Sequence, residues 1–113
     1  MYLFTWGFTD PTGRVRAPHG IDMPYFFDNV DHAPMAAGEH AAPLTTNVSG
    51  VLIALATTGV PSHPGIPGWP PYTLDRRSTM LLDLDPEIVE DPHGAERASW
   101  EGLDLPGLGS WAP

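Results

Sequence analysis

The sequence predicts a loop-rich α/β fold built from few regular elements. Two short segments have the apolar composition of strands, "YLFTW" at residues 2–6 and "STMLLDL" at residues 78–84. Between them, residues 45–59 repeat apolar side chains at the spacing of an amphipathic helix. The 12 glycines and 14 prolines among 113 residues cluster between these segments, which indicates connections without regular structure.

The first strand segment is apolar on both faces, which is typical of an interior strand covered on two sides. Its only good partner is residues 78–84, more than seventy residues later in the chain. Because two strands do not make a stable parallel sheet, we expect this pair to need further strands.

The helical segments are marked by capping residues and prolines. Pro24 suits the first turn of a short helix within residues 22–30. In residues 45–59, Thr46 is the predicted N-cap, while Gly59 and Pro61 are predicted to end the helix. The apolar positions of this helix are Val48, Val51, Leu52 and Leu55. Gly50 within it is expected to weaken the helix by about 1 kcal/mol relative to alanine.

The remaining segments are predicted to be loops, with one further helix near the end. "DPTGRVRAPHG" at residues 10–20 has the Asp-Pro, Gly and Pro-His-Gly signals of a loop, and five prolines make residues 60–72 extended chain. Asp91 is the predicted N-cap of a helix with Pro92 at its first position, and this helix is expected to bury Trp100. Residues 104–113 are expected to be frayed.

Charge and composition exclude several classes of function. The 14 carboxylates against five arginines give a formal net charge of −9, so we expect no nucleic-acid partner. No uninterrupted apolar run has membrane-spanning length, and the start lacks the pattern of a signal peptide. We therefore expect no membrane span and leave the compartment open between cytoplasmic and secreted. The absence of cysteine excludes disulfides and thiolate chemistry.

No nucleophile is recognisable in the sequence. It contains no G-x-S-x-G, no H-E-x-x-H, no P-loop and no glycine fingerprint that opens a helix. The five serines, at positions 49, 62, 78, 99 and 110, fall in predicted helix, loop, strand-start and tail positions. Four of the histidines lack metal-ligand spacing and are predicted to be exposed loop residues: His32, His40, His63 and His93.

His19 has a different setting. It lies in a Pro-His-Gly turn after a buried-type strand, where α/β folds place catalytic groups, and Asp22 follows three residues later. The alternative is a histidine that caps the next helix. The residues alone leave these two interpretations open.

A family resemblance favours the first interpretation. "APHGIDMPYFFDN" at residues 17–29 resembles the catalytic-histidine segment of the type-B carboxylesterases, the family of para-nitrobenzyl esterases and cholinesterases. "YLFTW" is similar to the strand before that histidine, and "VSGVLIALATTGVPSHPGIPGWPPY" to the helix and proline-rich segment after it. "RRSTMLLD" resembles the next strand, and "VEDPHGAERASW" the closing helix of bacterial members. The resemblance covers nearly the whole chain in one collinear order.

The resemblance implies an α/β-hydrolase fold of which residues 1–113 are the C-terminal segment: the last core strand, the catalytic-histidine loop, helices and one further strand. It implies that His19 is the general base of a Ser-acid-His triad, with Asp22 as a supporting acid near it. It implies a small-molecule carboxylic ester as substrate and no metal or organic cofactor. The nucleophile, the triad acid and the oxyanion-hole loop would then lie in a missing N-terminal half.

Four positions depart from the family's pattern. Arg16 stands where the family usually has glycine, which would bring a charged side chain into a close approach, and Asp22 stands where glutamate is usual. Outside the histidine loop, Leu52 stands where bacterial relatives often have tryptophan, and Val60 stands where aspartate is usual. Two classes of function therefore remain. The chain is part of a serine carboxylesterase that has no turnover alone, or it is a non-catalytic remnant or protein-binding module of cholinesterase-like descent.

Overall fold

The computed structural model describes residues 1–103, and the tail at 104–113 that was expected to be frayed lies outside them. The regular elements follow in this order: β1 (Tyr2–Phe4), β2 (Phe8–Thr9), β3 (Val15–Arg16), α1 (Met23–Phe26), a 3-10 turn (Val30–His32), α2 (Ala41–Thr58), β4 (Ser78–Leu82), β5 (Glu87–Glu90) and α3 (Gly94–Trp100). Long irregular connections separate most of them, as the glycine and proline content predicts.

The main sheet has three strands in the order β1-β4-β5. The predicted parallel pairing of the two strand segments is confirmed, with Leu3 opposite Leu81. Strand β5 was not predicted from the sequence; it pairs antiparallel with β4 and places Ile88 opposite Met80. This third strand provides the support that a two-stranded parallel sheet would lack.

Only one edge of β1 is paired within the described residues. The Met80 amide donates to the Met1 carbonyl at 3.2 Å, and the Thr5 amide donates to the Leu82 carbonyl at 3.0 Å. Because backbone groups of successive strand residues point in opposite directions, the amides and carbonyls of Tyr2 and Phe4 face away from β4. The predicted interior strand is thus an edge strand here, with its other edge open.

Aromatic side chains join β1 to α1. Residues 2, 4 and 6 share one face of the strand because strand side chains alternate. The Tyr25 ring of α1 stacks on Phe4 with centroids 5.6 Å apart and meets Trp6 edge-on at 5.4 Å. Tyr25 is completely buried, and the rest of the core comes from α2, β4 and the loops on either side of α1: Ile21, Ala36, Leu44, Val48, Val51, Met80 and Leu82.

Helix α2 begins earlier than predicted and ends where predicted. It starts at Ala41, since Pro43 is tolerated in a first turn where its missing amide needs no partner. Thr46 is therefore not the N-cap, and its hydroxyl donates to the Ala42 carbonyl at 2.9 Å inside the helix. Gly59 ends the helix with φ 77°, in the left-handed conformation that favours glycine.

The glycine inside α2 has a packing role. A Cβ placed on Gly50 would lie 2.7 Å from Nε2 of His63, which is closer than real Cβ atoms approach. The His63 Nε2 donates to the Asn47 carbonyl at 2.9 Å, while its Nδ1 accepts from the Gly65 amide at 3.1 Å. Gly50 thus admits the ring that fastens the proline-rich segment at 60–72 onto the helix.

By length and composition, α2 alone among residues 1–103 is apolar enough to cross a membrane, with a mean hydropathy of 1.2. Five of its side chains are buried in the fold, Leu44 and Val48 completely. A core helix meets the same two criteria of length and hydropathy.

The last helix differs from its prediction at both ends. It begins at Gly94 with His93 at the cap position, so Asp91 is not the N-cap. Asp91 instead adopts φ 46° and receives two hydrogen bonds from the Arg97 guanidinium, at 3.1 and 2.8 Å. Trp100 is 63% exposed, so its predicted burial is wrong for this chain. The helix has seven residues, and none of them is buried.

A hairpin occupies part of the predicted loop at residues 10–20. Strands β2 and β3 pair antiparallel around a turn whose hydrogen bonds converge on Asp10. One carboxylate oxygen accepts from the Thr12 amide and hydroxyl at 2.8 and 2.6 Å and from the Arg14 amide at 3.1 Å. The other accepts from Nε of Arg16 at 2.9 Å. This turn chemistry, in which an aspartate bonds the backbone two residues on, forms the hairpin.

These bonds set a testable pH dependence for the hairpin. The hydrogen bond from the Thr12 side chain is the first cause, followed by that from Arg16, and together with the backbone bonds they lower the pKa of Asp10 from 3.8 to about 2. Since the folded pKa is depressed, the stabilisation is present above pH 3.8 and is lost as the pH falls through about 2. We expect the Asp10 carboxyl carbon to titrate near 2 by NMR, and Thr12→Val to raise that value toward 3.8.

The matched control is Thr9→Val, the same substitution at an exposed position on β2. It should leave the titration of Asp10 unchanged. Titration of Asp10 at its ordinary value in the unmodified chain would contradict the hydrogen-bonded turn.

Candidate active-site loop

His19 lies in a tight turn between the hairpin and α1. The Ile21 amide donates to the Pro18 carbonyl at 3.1 Å and closes the turn around His19 and Gly20. Gly20 has φ 78° at the third turn position, where a positive φ strongly favours glycine. Ile21, directly after it, is only 7% exposed. The turn therefore holds the histidine at a defined place beside a buried anchor.

Contacts on both sides of the His19 turn hold the loop in place. Before it, the hairpin folds back on the end of β1, because a Cβ on Gly7 would lie 2.8 Å from the carbonyl oxygen of Arg16. After it, the buried Tyr25 hydroxyl donates to the Ala36 carbonyl at 3.0 Å. Burial raises the pKa of Tyr25 to about 12, so this donor stays protonated at ordinary pH.

The Arg16 side chain does not crowd the loop, although its position in the sequence predicted a close approach. The close approach to Gly7 is made by the Arg16 backbone carbonyl and by Val15. The Arg16 side chain is about half exposed and pairs with Asp10 at 2.9 Å. The departure from the family's glycine thus places no charge in the tight contact.

The His19 side chain is exposed and unengaged within residues 1–103. It makes no hydrogen bond and no ion pair with another described residue. Both ring nitrogens are therefore open to a partner outside that part of the chain. A triad histidine needs this freedom, because it must face the serine with one nitrogen and the acid with the other.

Asp22 binds the strand rather than the histidine. Its carboxylate accepts from the Tyr2 hydroxyl at 3.3 Å, and its backbone carbonyl accepts from the Tyr25 and Phe26 amides at 3.1 Å. Burial is the first cause that raises the pKa of Tyr2, and the Asp22 charge adds to it. The structure does not pair Asp22 with His19, so any support that Asp22 gives would act through the position of the loop.

The other histidines are not all the exposed loop residues that were predicted. His32 and His93 are exposed as expected. His40 is half-buried at the start of α2 and stacks on Trp6 at 4.3 Å, and its buried Nε2 has no hydrogen-bond partner. His63 is half-buried and fastens the proline-rich segment onto α2. Both histidines are half-buried because residues distant in sequence pack against their rings: Trp6 against His40, and α2 at Gly50 against His63. No group of three or more potential metal ligands occurs in residues 1–103.

One polar pair at the carboxyl end of the sheet was not predicted from the sequence. The Thr5 hydroxyl, just after β1, donates to the Asp83 carboxylate, just after β4, at 2.8 Å. The same hydroxyl lies 3.4 Å from the Leu82 carbonyl. Since parallel strands end at the same sheet edge, a polar residue directly after each strand was the available signal. The pair fixes the ends of the two strands where the chain departs toward the His19 loop.

Three of the four described serines are hydrogen-bonded to other groups, and the fourth, Ser78, is buried without a hydrogen-bond partner. Ser49 and Ser99 donate to carbonyls within their own helices, Ser62 accepts from the Trp69 amide, and Ser78 is buried in β4. None is hydrogen-bonded to His19, and Ser110 lies outside the described residues. The described chain thus presents a candidate base without a nucleophile beside it.

Comparison with known proteins finds relatives of this chain among the esterases. No protein-family model matches the chain. The para-nitrobenzyl esterase of Bacillus subtilis is 32% identical over 101 residues, which cover 86% of this chain and 20% of that protein. A phenmedipham hydrolase of Pseudarthrobacter oxydans is 30% identical over 86 residues, covering 70% of this chain and 17% of its own length.

The fold agrees with these matches. A solved PNB esterase superposes with a TM-score of 0.77 at 29% identity, covering 87% of this chain and 21% of the esterase. A Clostridium hathewayi esterase that can hydrolyse aliphatic aromatic polyesters superposes with a TM-score of 0.73 at 32% identity, over 80% of this chain and 18% of its own. The chain spans about a fifth of the length of the relatives that it matches. The chain has the α/β-hydrolase fold, and in sequence and structure it corresponds to a segment of about that share of the para-nitrobenzyl esterases and carboxylesterases that it matches.

Proposed function

We propose that this chain supplies the general base of a serine carboxylesterase. The single observation that carries the proposal is His19, held in a glycine turn with both ring nitrogens unengaged, on the loop that follows β1 in a segment with the PNB esterase fold. In α/β-hydrolases the triad histidine is the last triad member along the chain. Residues 1–113 would then be the C-terminal segment of the hydrolase domain.

The proposed reaction is hydrolysis of a carboxylic ester through an acyl-enzyme. A serine of the rest of the domain attacks the ester carbonyl while His19 takes its proton. The imidazolium then returns that proton to the departing alkoxide, which leaves as the alcohol. Water attacks the acyl-enzyme next, and His19 takes the water proton and gives it back to the serine as the carboxylic acid is released.

The proposal also predicts what the chain does not do alone. A base without its nucleophile has no acyl group to transfer, and removal of the serine from such a triad costs a factor on the order of 10⁶ in kcat. The sequence has no G-x-S-x-G. We therefore expect no esterase turnover from the isolated chain above the buffer rate.

The test uses a partner that contains the serine. We define the complementary portion as the Bacillus subtilis para-nitrobenzyl esterase without the segment that this chain matches. Hydrolysis of a short-chain para-nitrophenyl ester is measured for the chain, for the complementary portion and for their mixture. Only the mixture should turn over. A mixture that associates in gel filtration but stays inactive would favour the non-catalytic binding module.

A further inference from the structure

A small cavity lies where β1 and β4 begin and β5 ends. Its volume is about 220 Å³. Pockets for drug-sized ligands measure about 300–1,000 Å³, so this cavity has room for a smaller molecule. Its walls combine apolar residues such as Leu3 and Pro92 with charged ones, and they do not include His19. The cavity is therefore separate from the candidate base.

The cavity gathers positive charge in a strongly acidic chain. Two of the five arginines, Arg77 and Arg97, line it, and Asp91 is the only acidic residue among the described residues of its walls. His93 also touches the cavity, but it is exposed and lies 3.9 Å from Glu96, so it is not counted as part of the site. Two guanidinium groups and one carboxylate give the walls a net charge of +1, against −9 for the whole chain.

The two arginines differ in what they bind. The Arg97 guanidinium donates to both carboxylate oxygens of Asp91, at 3.1 and 2.8 Å, and also pairs with Glu101. Arg77 forms no ion pair with any described residue, and its one side-chain hydrogen bond there is a long one, 3.4 Å to the Tyr72 hydroxyl. Arg77 is nevertheless half-buried. Because a guanidinium that is partly removed from water is stabilised by an anion, Arg77 is a candidate ligand for one.

The main chain of Arg77 is held in one conformation. Its amide donates to the Thr73 carbonyl at 2.8 Å. Its carbonyl accepts from the Thr79 hydroxyl at 2.9 Å and from the Asp91 amide at 3.3 Å. Its φ of 51° lies in the left-handed region, which is uncommon for a residue with a side chain. The side chain thus leaves the backbone at a fixed point on the cavity wall, and a donor that is fixed in advance loses less freedom on binding.

We propose that this cavity binds a small monocarboxylate, with the Arg77 guanidinium as its main ligand. A carboxylate accepts two parallel hydrogen bonds from a guanidinium. The wall charge of +1 matches one negative charge, and Asp91 repels the second charge that a phosphate dianion would bring. Leu3 and Pro92 offer an apolar surface that the tail of the acid can cover.

A short-chain carboxylic acid is also the product class of the proposed ester hydrolysis. Binding in this cavity does not need that reaction, because the cavity is lined by residues of this chain and His19 is not among them. The inference therefore goes beyond the proposed function and can be tested without turnover.

The test measures the binding of butyrate to the purified 113-residue chain by NMR, through the Nε–Hε signal of Arg77. We expect this signal to shift and to saturate at millimolar butyrate. Butyramide has nearly the same shape and no charge, and it should bind at least about tenfold more weakly. Inorganic phosphate should also bind more weakly than butyrate. Butyramide or phosphate that binds as tightly as butyrate would overturn the proposal.

The neighbouring arginine provides the matched control. Arg77→Gln should raise the dissociation constant of butyrate about tenfold or more, as read from the amide signal of Thr79. Arg76→Gln removes the same charge, but Arg76 pairs with the exposed Glu90 at 2.6 Å and does not line the cavity. Its dissociation constant should change by less than about twofold. Equal binding by the two glutamine variants would contradict the proposal.

A conservative variant covers the case in which Arg77→Gln does not fold. Arg77→Lys keeps the charge but loses the planar pair of donors, so butyrate should bind more weakly than to the unmodified chain and more tightly than to a folded Arg77→Gln. Binding by Arg77→Lys that is as tight as binding by the unmodified chain would refute the bidentate contact.

An acidic side chain from the rest of the hydrolase domain is the other source of a carboxylate. Butyrate binding is therefore repeated with the complementary portion, in the complex isolated by gel filtration. A dissociation constant within about twofold of that for the chain alone supports a site for a free acid, and loss of binding would overturn it. His19→Ala should bind butyrate as tightly as the unmodified chain, so failure of the site and failure of the proposed function are distinguishable.

Discussion

Replacement of His19 by alanine is expected to lower kcat of the reconstituted esterase by roughly 10⁴- to 10⁶-fold. The reason is that without the imidazole no group takes the serine proton at the moment of attack. The serine hydroxyl is a weak nucleophile at neutral pH, and the remaining machinery can only bind the ester and stabilise the oxyanion. The measurement is the turnover of a short-chain para-nitrophenyl ester by the mixture at saturating complementary portion.

The control for this prediction is His93→Ala. His93 is exposed at the start of α3, 74 residues after His19 in the sequence, and it has no proposed role in the reaction. Its replacement should leave kcat within about twofold. An equal loss in both variants would point to a general effect on folding rather than to removal of the base.

The largest effect on stability is expected at Tyr25. Its side chain is completely buried, stacks on Phe4, meets Trp6 edge-on and bonds the Ala36 carbonyl. Tyr25→Ala should lower the free energy of unfolding by about 3–5 kcal/mol, through lost burial and the cavity that remains. Since the free energy of unfolding of small domains is only about 5–15 kcal/mol in total, this loss is a large fraction of it. Urea denaturation followed by circular dichroism measures the change.

Two companion variants separate the causes. Tyr25→Phe keeps the ring but leaves the buried Ala36 carbonyl without its donor, so about 1–2 kcal/mol should be lost. Phe27→Ala, at a neighbouring position of α1's end that is 59% exposed, should cost less than about 1 kcal/mol. A Tyr25→Ala variant as stable as Phe27→Ala would contradict the aromatic packing between β1 and α1.

The sequence predicted the parts of the fold that depend on local pattern. The β1 and β4 segments, the proline-started α1 and the Gly59 end of α2 are found as expected. Each of these has its cause within a few residues: apolar composition, a fixed proline φ, or a left-handed glycine. Such signals do not depend on what the segment packs against.

The differences have causes that lie far away in sequence. The strand β5 is short and reads as two charges around two apolar residues, and only its pairing with β4 makes it a strand. The burial of His63 depends on Gly50, thirteen residues earlier, which leaves room for its ring. Trp100 is exposed because no other element of the described residues packs over its side chain. No local pattern carries this information.

The candidate site divides in the same way. The glycine turn at His19 could be predicted, because Pro-His-Gly has few other conformations. The contact of Asp22 with Tyr2 could not, since it needs α1 to pack against β1 across twenty residues. The apolar cleft between the start of β1, α1, the end of α2 and residues 69–72 could not be predicted either. Its walls come from four separate segments, and the apolar residues of each segment resemble ordinary core positions.

Covalent labelling of the serine tests the central claim most directly, because it reports base catalysis in a single step. An alkyl fluorophosphonate is added to the mixture of the chain and the complementary portion, and the labelled residue is located by mass spectrometry. The serine oxygen bonds to phosphorus as fluoride leaves, and its proton passes to His19. We predict rapid labelling of a serine in the complementary portion and labelling at least about 1,000-fold slower with His19→Ala. Labelling at the same rate with both chains would contradict His19 as the general base.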